Sequence, residues 1–168
     1  MDDEVVWNSQ GAVPAREVVM LRCIGYVSDI VNINNAKNDI ANIILSATAF
    51  NDGHNITGMM AYYDGCILQF IEGESQVIGE LYERIGNDSR HRDLVKIYDA
   101  EIERRSFDGW KMALINIDDM PEEVRSSCIN FMKNNLTNSA SIAEQYAEIK
   151  TLIHGFSMNL VIDKFLSN

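Results

Sequence analysis

Ile56-Thr57-Gly58-Met59-Met60-Ala61-Tyr62-Tyr63-Asp64-Gly65-Cys66-Ile67-Leu68-Gln69-Phe70-Ile71 is the stretch whose reading decides the fold. Two short apolar runs flank Asp64-Gly65, a dipeptide that favours a two-residue hairpin because both of its positions accept a positive φ. Ile56 to Tyr63 and Cys66 to Ile71 are therefore antiparallel neighbours. Before them, Leu21-Arg22-Cys23-Ile24-Gly25-Tyr26-Val27 has the length and apolar content of another strand. Ile40, Ile43, Ile44, Ala47 and Phe50 recur at helical spacing, so an amphipathic helix is expected over 36–51, with Asn32 to Asn35 as its capping turn. After the hairpin, Val77, Ile78, Leu81, Tyr82 and Ile85 mark a second helix over 75–87. Leu94 to Ile102 and Trp110 to Ile115 follow as strands. The order is βαββαββ. Its economical solution is an α+β, ferredoxin-like sandwich, with two helices on one face of a five-stranded sheet.

Residues 1–19 have no clean period, and Gly11-Ala12-Val13-Pro14 reads as a break, so this segment is expected to be an extension. Beyond Asn116 the pattern is helical. Pro121 suits a first helical turn, and Val124, Cys128, Phe131 and Met132 form a stripe. Ser141-x-x-Glu144 resembles a capping box ahead of a last helix through Ile142, Tyr146, Ile149, Ile153 and Phe156, which the pattern extends as far as Phe165. The chain divides into an extension (1–19), a sandwich domain (20–115) and a helical C-terminal segment (116–168).

The chain has 168 residues, 46% of them hydrophobic and 23% charged, with a net charge of −11. That length is enough for one buried core, and the composition excludes a disordered polymer. The negative balance disfavours nucleic-acid backbones and anionic membranes as partners. No apolar run reaches the roughly 20 residues that span a bilayer, and the acidic Met1-Asp2-Asp3-Glu4 is unlike a signal peptide. Cys23, Cys66 and Cys128 are odd in number and widely spaced. They read as three buried thiols in a reducing, cytoplasmic setting. His54, His91 and His154 are far apart and in no metal-ligand spacing, so no metal site is expected.

Chemistry is sought where polar residues interrupt apolar elements. Gln69 lies inside a strand where an unsatisfied amide is costly. The strands of Tyr26 and Gln69 are usually adjacent and central in this topology, so the two side chains either meet on one face beside the first helix or, alternatively, Gln69 turns outward. Arg84, Asp88, Arg90 and His91 cluster at and beyond the end of the second helix. They are either an anion-holding set or a solvated helix end favoured by its dipole. Trp110 and Met112 share one face of the last strand and are either part of a site or ordinary core.

In this order, Tyr26-x-Ser28, Asn51, Ile56-Thr57-Gly58, Gln69-x-x-Glu72-Gly73, Asp88-x-Arg90-His91 and Arg105-x-Phe107-x-x-Trp110-x-Met112 resemble the BLUF domain, a blue-light sensor that uses flavin. The match spans Met20 to Ile115. The resemblance implies a flavin cofactor (FAD, or FMN or riboflavin) and photosensing without substrate turnover. It implies that Tyr26 donates an electron and a proton, that Gln69 lies between Tyr26 and the flavin and rearranges after light, and that Asn51 holds the flavin edge. It places Ile43 and Ile85 on the two sides of the ring. Arg84, Asp88, Arg90 and His91 would lie at the ribityl and pyrimidine side. Trp110 and Met112 would pass the signal onward. Phe50 stands beside Asn51 where the family often has a polar residue, and Ile67 stands where an aromatic is common. The helical segment after Ile115 resembles that of short BLUF proteins, which implies a homo-oligomer, dimer or larger, and a separate protein partner.

Two other classes share the topology. An acylphosphatase-like enzyme would use Arg84 or Arg90 on phosphate, but Ser28-Asp29-Ile30-Val31 lacks the Gly and Arg of a phosphate cradle. A nucleic-acid-binding sandwich would need a basic, aromatic sheet face, which the acidic balance opposes.

Overall fold

The structure, a computed structural model, describes residues 5–8, 11–14, 19–134 and 147–158. β1 (Val5–Asn8) and β2 (Gly11–Pro14) form an antiparallel hairpin. The stretch read as a break is thus a strand; its partner is so close in sequence that neither run is long enough to show a period. Then come β3 (Leu21–Ile30), α1 (Ala36–Gly53), β4 (Thr57–Tyr63), β5 (Cys66–Glu74), α2 (Ser75–Gly86), β6 (His91–Ile102), β7 (Ala113–Asn116) and α3 (Glu122–Asn134). A last helix, α4, covers 147–158. The expected capping box at Ser141 and Glu144, the stripe residues Ile142 and Tyr146, and the run on to Phe165 lie outside the described residues.

The main sheet has the order β6-β3-β5-β4-β7. β4 and β5 pair from Thr57↔Glu72 to Tyr63↔Cys66. Asp64 (φ 49°) and Gly65 (φ 88°) close that hairpin in the left-handed region that their residue types tolerate. β3 lies antiparallel on β5, with Tyr26 directly opposite Gln69. The sheet is antiparallel except at one edge, where β7 runs parallel to β4.

Three local expectations change. The last strand begins at Ala113, not at Trp110, so Trp110 and Met112 precede it and do not share a strand face. Backbone bonds explain the shift: Trp110 N–H donates to the Phe107 carbonyl, and the Trp110 carbonyl accepts from Gly58 N–H, which makes the segment a turn on the end of β4. Neither Asn32 nor Asn35 caps with its side chain; Asn35 instead donates to Asp39. Cys23 and Cys128 are buried, but Cys66 is only half-buried.

The period-2 alternation of the strands sorts their side chains onto two faces. Ile24, Met60, Ile67 and Ile71 pack with Ile40 and Ile43 of α1 and with Ile78 and Leu81 of α2. Val27, Met59, Leu68 and Phe70 face the other way, against Cys128 and Phe131 of α3 and Ile149 and Phe156 of α4. The sheet is therefore covered twice: by the two helices of the sandwich and by the C-terminal pair. α2 lies directly on β3 and β5, whereas α1 stands further off. Ala47 and Phe50 of α1 and Ile85 of α2 stay half-buried, because they face a space between the helices and the sheet.

Gly58 lies on β4 with its α-carbon turned toward the β5 backbone. A Cβ there would come within 2.3 Å of the Phe70 carbonyl oxygen, a backbone atom that cannot step aside. Gly58→Ala is expected to cost about 2 kcal/mol of stability through overpacking, read as a lower urea midpoint with an unchanged denaturant slope.

Candidate functional site

The space between α1, α2 and the sheet is a cavity of ≈ 350 Å³. Its floor is made by the central strands, its walls by the two helices, and its mouth by the end of α2 and the start of β6. Ile43 and Ala47 form one apolar wall; Leu81 and Ile85 form the other. Tyr26, Asn51, Gln69 and Met112 form a polar inner end, and Arg84, Asp88, Arg90 and His91 line the open end.

At the inner end, the β3–β5 register sets the geometry. Tyr26 and Gln69 are paired residues on adjacent strands, both facing the helices, and the Tyr26 hydroxyl donates to Gln69 Oε1 at 2.6 Å. Tyr26 is fully buried and Gln69 is 3% exposed. Burial raises the phenol's proton affinity well above its ordinary value, with Tyr82 and Asp88 adding to the effect, so Tyr26 is a neutral hydrogen-bond donor. The Tyr82 ring meets the Tyr26 ring edge-on at 5.8 Å. Gln69 Nε2 has Met112 Sδ at 3.7 Å, a weak acceptor. Asn51, 1% exposed, donates through Nδ2 to the Lys111 carbonyl at 2.6 Å. Its Oδ1 has no hydrogen-bond partner among the described residues.

Charges at the mouth are largely paired. Arg90 binds Asp88 through two nitrogens (Nε–Oδ1 2.9 Å, Nη2–Oδ2 2.5 Å), which holds the Asp88 carboxyl below the usual carboxylate range. Ser28 Oγ and His91 Nδ1 lie 3.0 Å apart. Arg84 stays exposed, with its guanidinium 4.6 Å from the centre of the Phe50 ring. The other face of Phe50 stacks on His54 at 3.9 Å. Phe50 thus takes its place in the wall as a ring between two cationic or polar partners.

Every residue that the resemblance gives a role at the flavin or in passing the signal lines this one cavity except Trp110. The side chain of Trp110 packs on the opposite hydrophobic cluster, while Met112 reaches the cavity. Ser46, Ala47, Ile71, Leu81 and Asn87 also line it. Ala47 and Ser46 were findable from helical spacing with Ile43 and Phe50. The Lys111 carbonyl was not, because a backbone acceptor leaves no mark in residue type.

The family model described as "BLUF: Sensors of blue-light using FAD" matches residues 21–113, more than half of the chain. The chain belongs to the BLUF family. Among curated relatives, it is 38% identical over 69 residues to the photoactivated adenylate cyclase subunit alpha of Euglena gracilis, covering 41% of this chain and 7% of that protein. It is 35% identical over 69 residues to the beta subunit of Euglena longa, covering 41% and 8%. The matched stretch is thus less than a tenth of the length of these relatives. Among solved structures, the dark state of BlrB, a BLUF protein, aligns with a TM-score of 0.66 at 24% identity over 83% of this chain and 97% of that one, which supports the fold. BlsA in its photo-activated state aligns with a TM-score of 0.64 at 25% identity, over 80% and 95%. A bacterial light-regulated adenylyl cyclase aligns at 0.63 and 25% identity, over 80% of this chain and 39% of that one. No helix among the described residues is long and apolar enough to cross a membrane.

BLUF domains bind flavin, and the cavity fits one on its own terms. The volume falls within the roughly 300–1,000 Å³ usual for cofactor sites. The walls are aliphatic, as a flat heterocycle requires, and the inner end offers a buried free acceptor (Asn51 Oδ1) and a weakly engaged amide (Gln69 Nε2).

Burial lowers the proton affinity of His91, opposed by Asp88 and reinforced by Arg90, so the fold favours the neutral ring. As pH falls below about 6.5, the unfolded chain takes up a proton that the fold resists, and stability declines. Urea unfolding at about pH 7.5 and pH 5.5 is expected to show a larger loss for the native chain than for His91→Gln.

Proposed function

We propose that this chain is a reversible blue-light receptor in which Tyr26 and Gln69 form the switch and a separate protein reads the result. The observation that carries the reading is the 2.6 Å bond from the buried Tyr26 hydroxyl to Gln69 Oε1 on the cavity floor. When bound, flavin supplies absorption of blue light and an acceptor for an electron.

Tyr26 is placed to give up an electron from its ring and a proton along the bond to Gln69. An amide suits the next position because it offers both an acceptor and donors. If its oxygen takes up that proton while its Nε2 releases one toward the bound flavin, Gln69 becomes the other tautomer, which can turn and present a different set of hydrogen bonds to the cavity. Met112 leaves it free to do so, because a thioether holds the amide only weakly. Asn51 is fixed on the Lys111 carbonyl, so its Oδ1 is the part that would hold the edge of the ring, with Ile43 and Ile85 on its two sides. Arg84, still exposed, is the group for a phosphate of the cofactor tail; Arg90 is engaged by Asp88 and with His91 supports that end of the pocket. Trp110, packed on the far face, would receive the change through its neighbour Met112.

The chain acts in this reading as a sensor without turnover. The acylphosphatase-like alternative finds no support, because Ser28, Asp29 and Ile30 are inside β3 and form no loop around an anion. The C-terminal helices on the far face suit contact with a partner protein and with a second copy of the chain.

The purified protein is expected to be yellow, with a visible band that moves to the red under blue light and returns in the dark. Tyr26→Phe and Gln69→Leu should each abolish or grossly change that shift while keeping the flavin. A colourless protein that takes up no added flavin, or a normal photocycle in both variants, overturns the reading.

A further inference from the structure

Beyond the cavity, the sheet's far face carries a buried carboxylate that the proposed photochemistry does not use. Glu72 lies on β5 three residues after Gln69, and so on the opposite face. It is 1% exposed. Its carboxylate accepts from Ser106 N–H at 3.0 and 3.1 Å, from Phe107 N–H at 3.0 Å and from the Thr57 hydroxyl at 3.4 Å. Its own carbonyl accepts from Arg105 Nη1 at 2.9 Å, and the same guanidinium reaches the Thr57 hydroxyl and the Asn55 carbonyl. One side chain on a rigid strand thus holds the beginning of the segment 105–112.

The end of that segment touches the switch. Trp110 N–H returns to the Phe107 carbonyl, and the Trp110 carbonyl is held by Gly58 N–H. The next two residues supply the Lys111 carbonyl to Asn51 and Met112 Sδ to Gln69. We propose that Glu72 is a positioning residue for the photocycle: by holding the amides of Ser106 and Phe107, it sets how firmly Lys111 and Met112 hold Asn51 and Gln69 from the other side of the sheet. This rests on the reading of Tyr26 and Gln69 as the switch.

Charge is what makes the hold firm, since hydrogen bonds to an ionised acceptor are about twice as strong as neutral ones. Burial nevertheless raises the carboxyl's proton affinity above its ordinary value, against the pull of Ser106, Phe107, Thr57 and Arg105. The groups around it are the thiol of Cys23 on β3, Thr57 on β4, the phenol of Tyr98 on β6, Arg104 and Arg105 beside the segment, and Lys150 and His154 on α4. By linkage, the ionised carboxylate works against global stability above that raised value. Neutralising it therefore relieves the fold as a whole while it loosens the segment, and these opposite signs separate positioning from mere support.

The experiment compares the native flavoprotein with Glu72→Gln. Three readouts are followed: the rate of dark recovery, amide hydrogen exchange at 106 and 107, and the urea midpoint. The variant is expected to keep the light-induced shift, recover about tenfold faster, exchange faster at those amides, and lose no stability. In the native protein alone, recovery should accelerate as pH is lowered through the titration of Glu72, a dependence absent from the variant. Unchanged recovery, or a loss of stability with recovery unaltered, overturns the inference while the switch stands. If Glu72→Gln does not fold, a pH-independent recovery in the native protein overturns it equally. A native protein with no light-induced shift removes the reading of the switch, and this inference with it.

Discussion

The antiparallel register of β3 on β5 is the constraint on which the rest depends. Tyr26 opposes Gln69, and Cys23 opposes Glu72, because the strands are aligned from Leu21↔Glu74 to Asp29↔Cys66. A slip of one residue would send Gln69 to the face of α3 and α4 and bring Glu72 under α2. A buried amide and a buried carboxylate would then both lose their partners. The register is protected by what lies on either side: Asp64 and Gly65 fix the β4–β5 hairpin, and Ile24, Ile67 and Ile71 have to reach the helices while Val27, Leu68 and Phe70 fill the opposite core.

That register also explains how one strand can serve two purposes. Gln69 is held through its oxygen by Tyr26 and only weakly through its nitrogen by Met112, whereas Glu72 is surrounded by donors. In the reading proposed above, the group with the weakly held nitrogen is the one that rearranges, and the strongly held one anchors the segment beside it. A thioether beside the first and backbone amides around the second are different chemistries suited to those two tasks.

Much of this was legible in residue order. Alternating apolar runs around Asp64-Gly65 and the helical spacing of Ile40, Ile43 and Ala47 were enough for the sandwich and the placement of its helices. Tyr26 and Gln69 stood out because polar groups in apolar strands need a reason. What residue type does not encode was read less well. The last strand was expected from Trp110 on apolar content, but a hydrogen bond to the Phe107 carbonyl and one from Gly58 N–H hold Trp110 in a turn. The Lys111 carbonyl and the donors around Glu72 are backbone groups, placed by tertiary pairing alone. The hairpin of β1 and β2 was missed because four-residue strands are too short to establish a period.

The outer strand β6 has one further consequence. It is 12 residues long and pairs in the sheet with β3 alone. Such an edge usually invites addition of a foreign strand. Here the pairing shifts register twice, between Gly25 and Tyr26 and between Val27 and Asp29, and Asp93 adopts a φ of 53°. Each shift inserts an extra β6 residue, and such bulges bend and twist the strand that carries them. Arg92, Asp93 and Glu101 add exposed charge along it. The opposite edge, β7, is only four residues long. Both borders of the sheet are thus poor templates for self-propagating pairing, and the switch proposed for its centre would sit in a sheet guarded against aggregation at its margins.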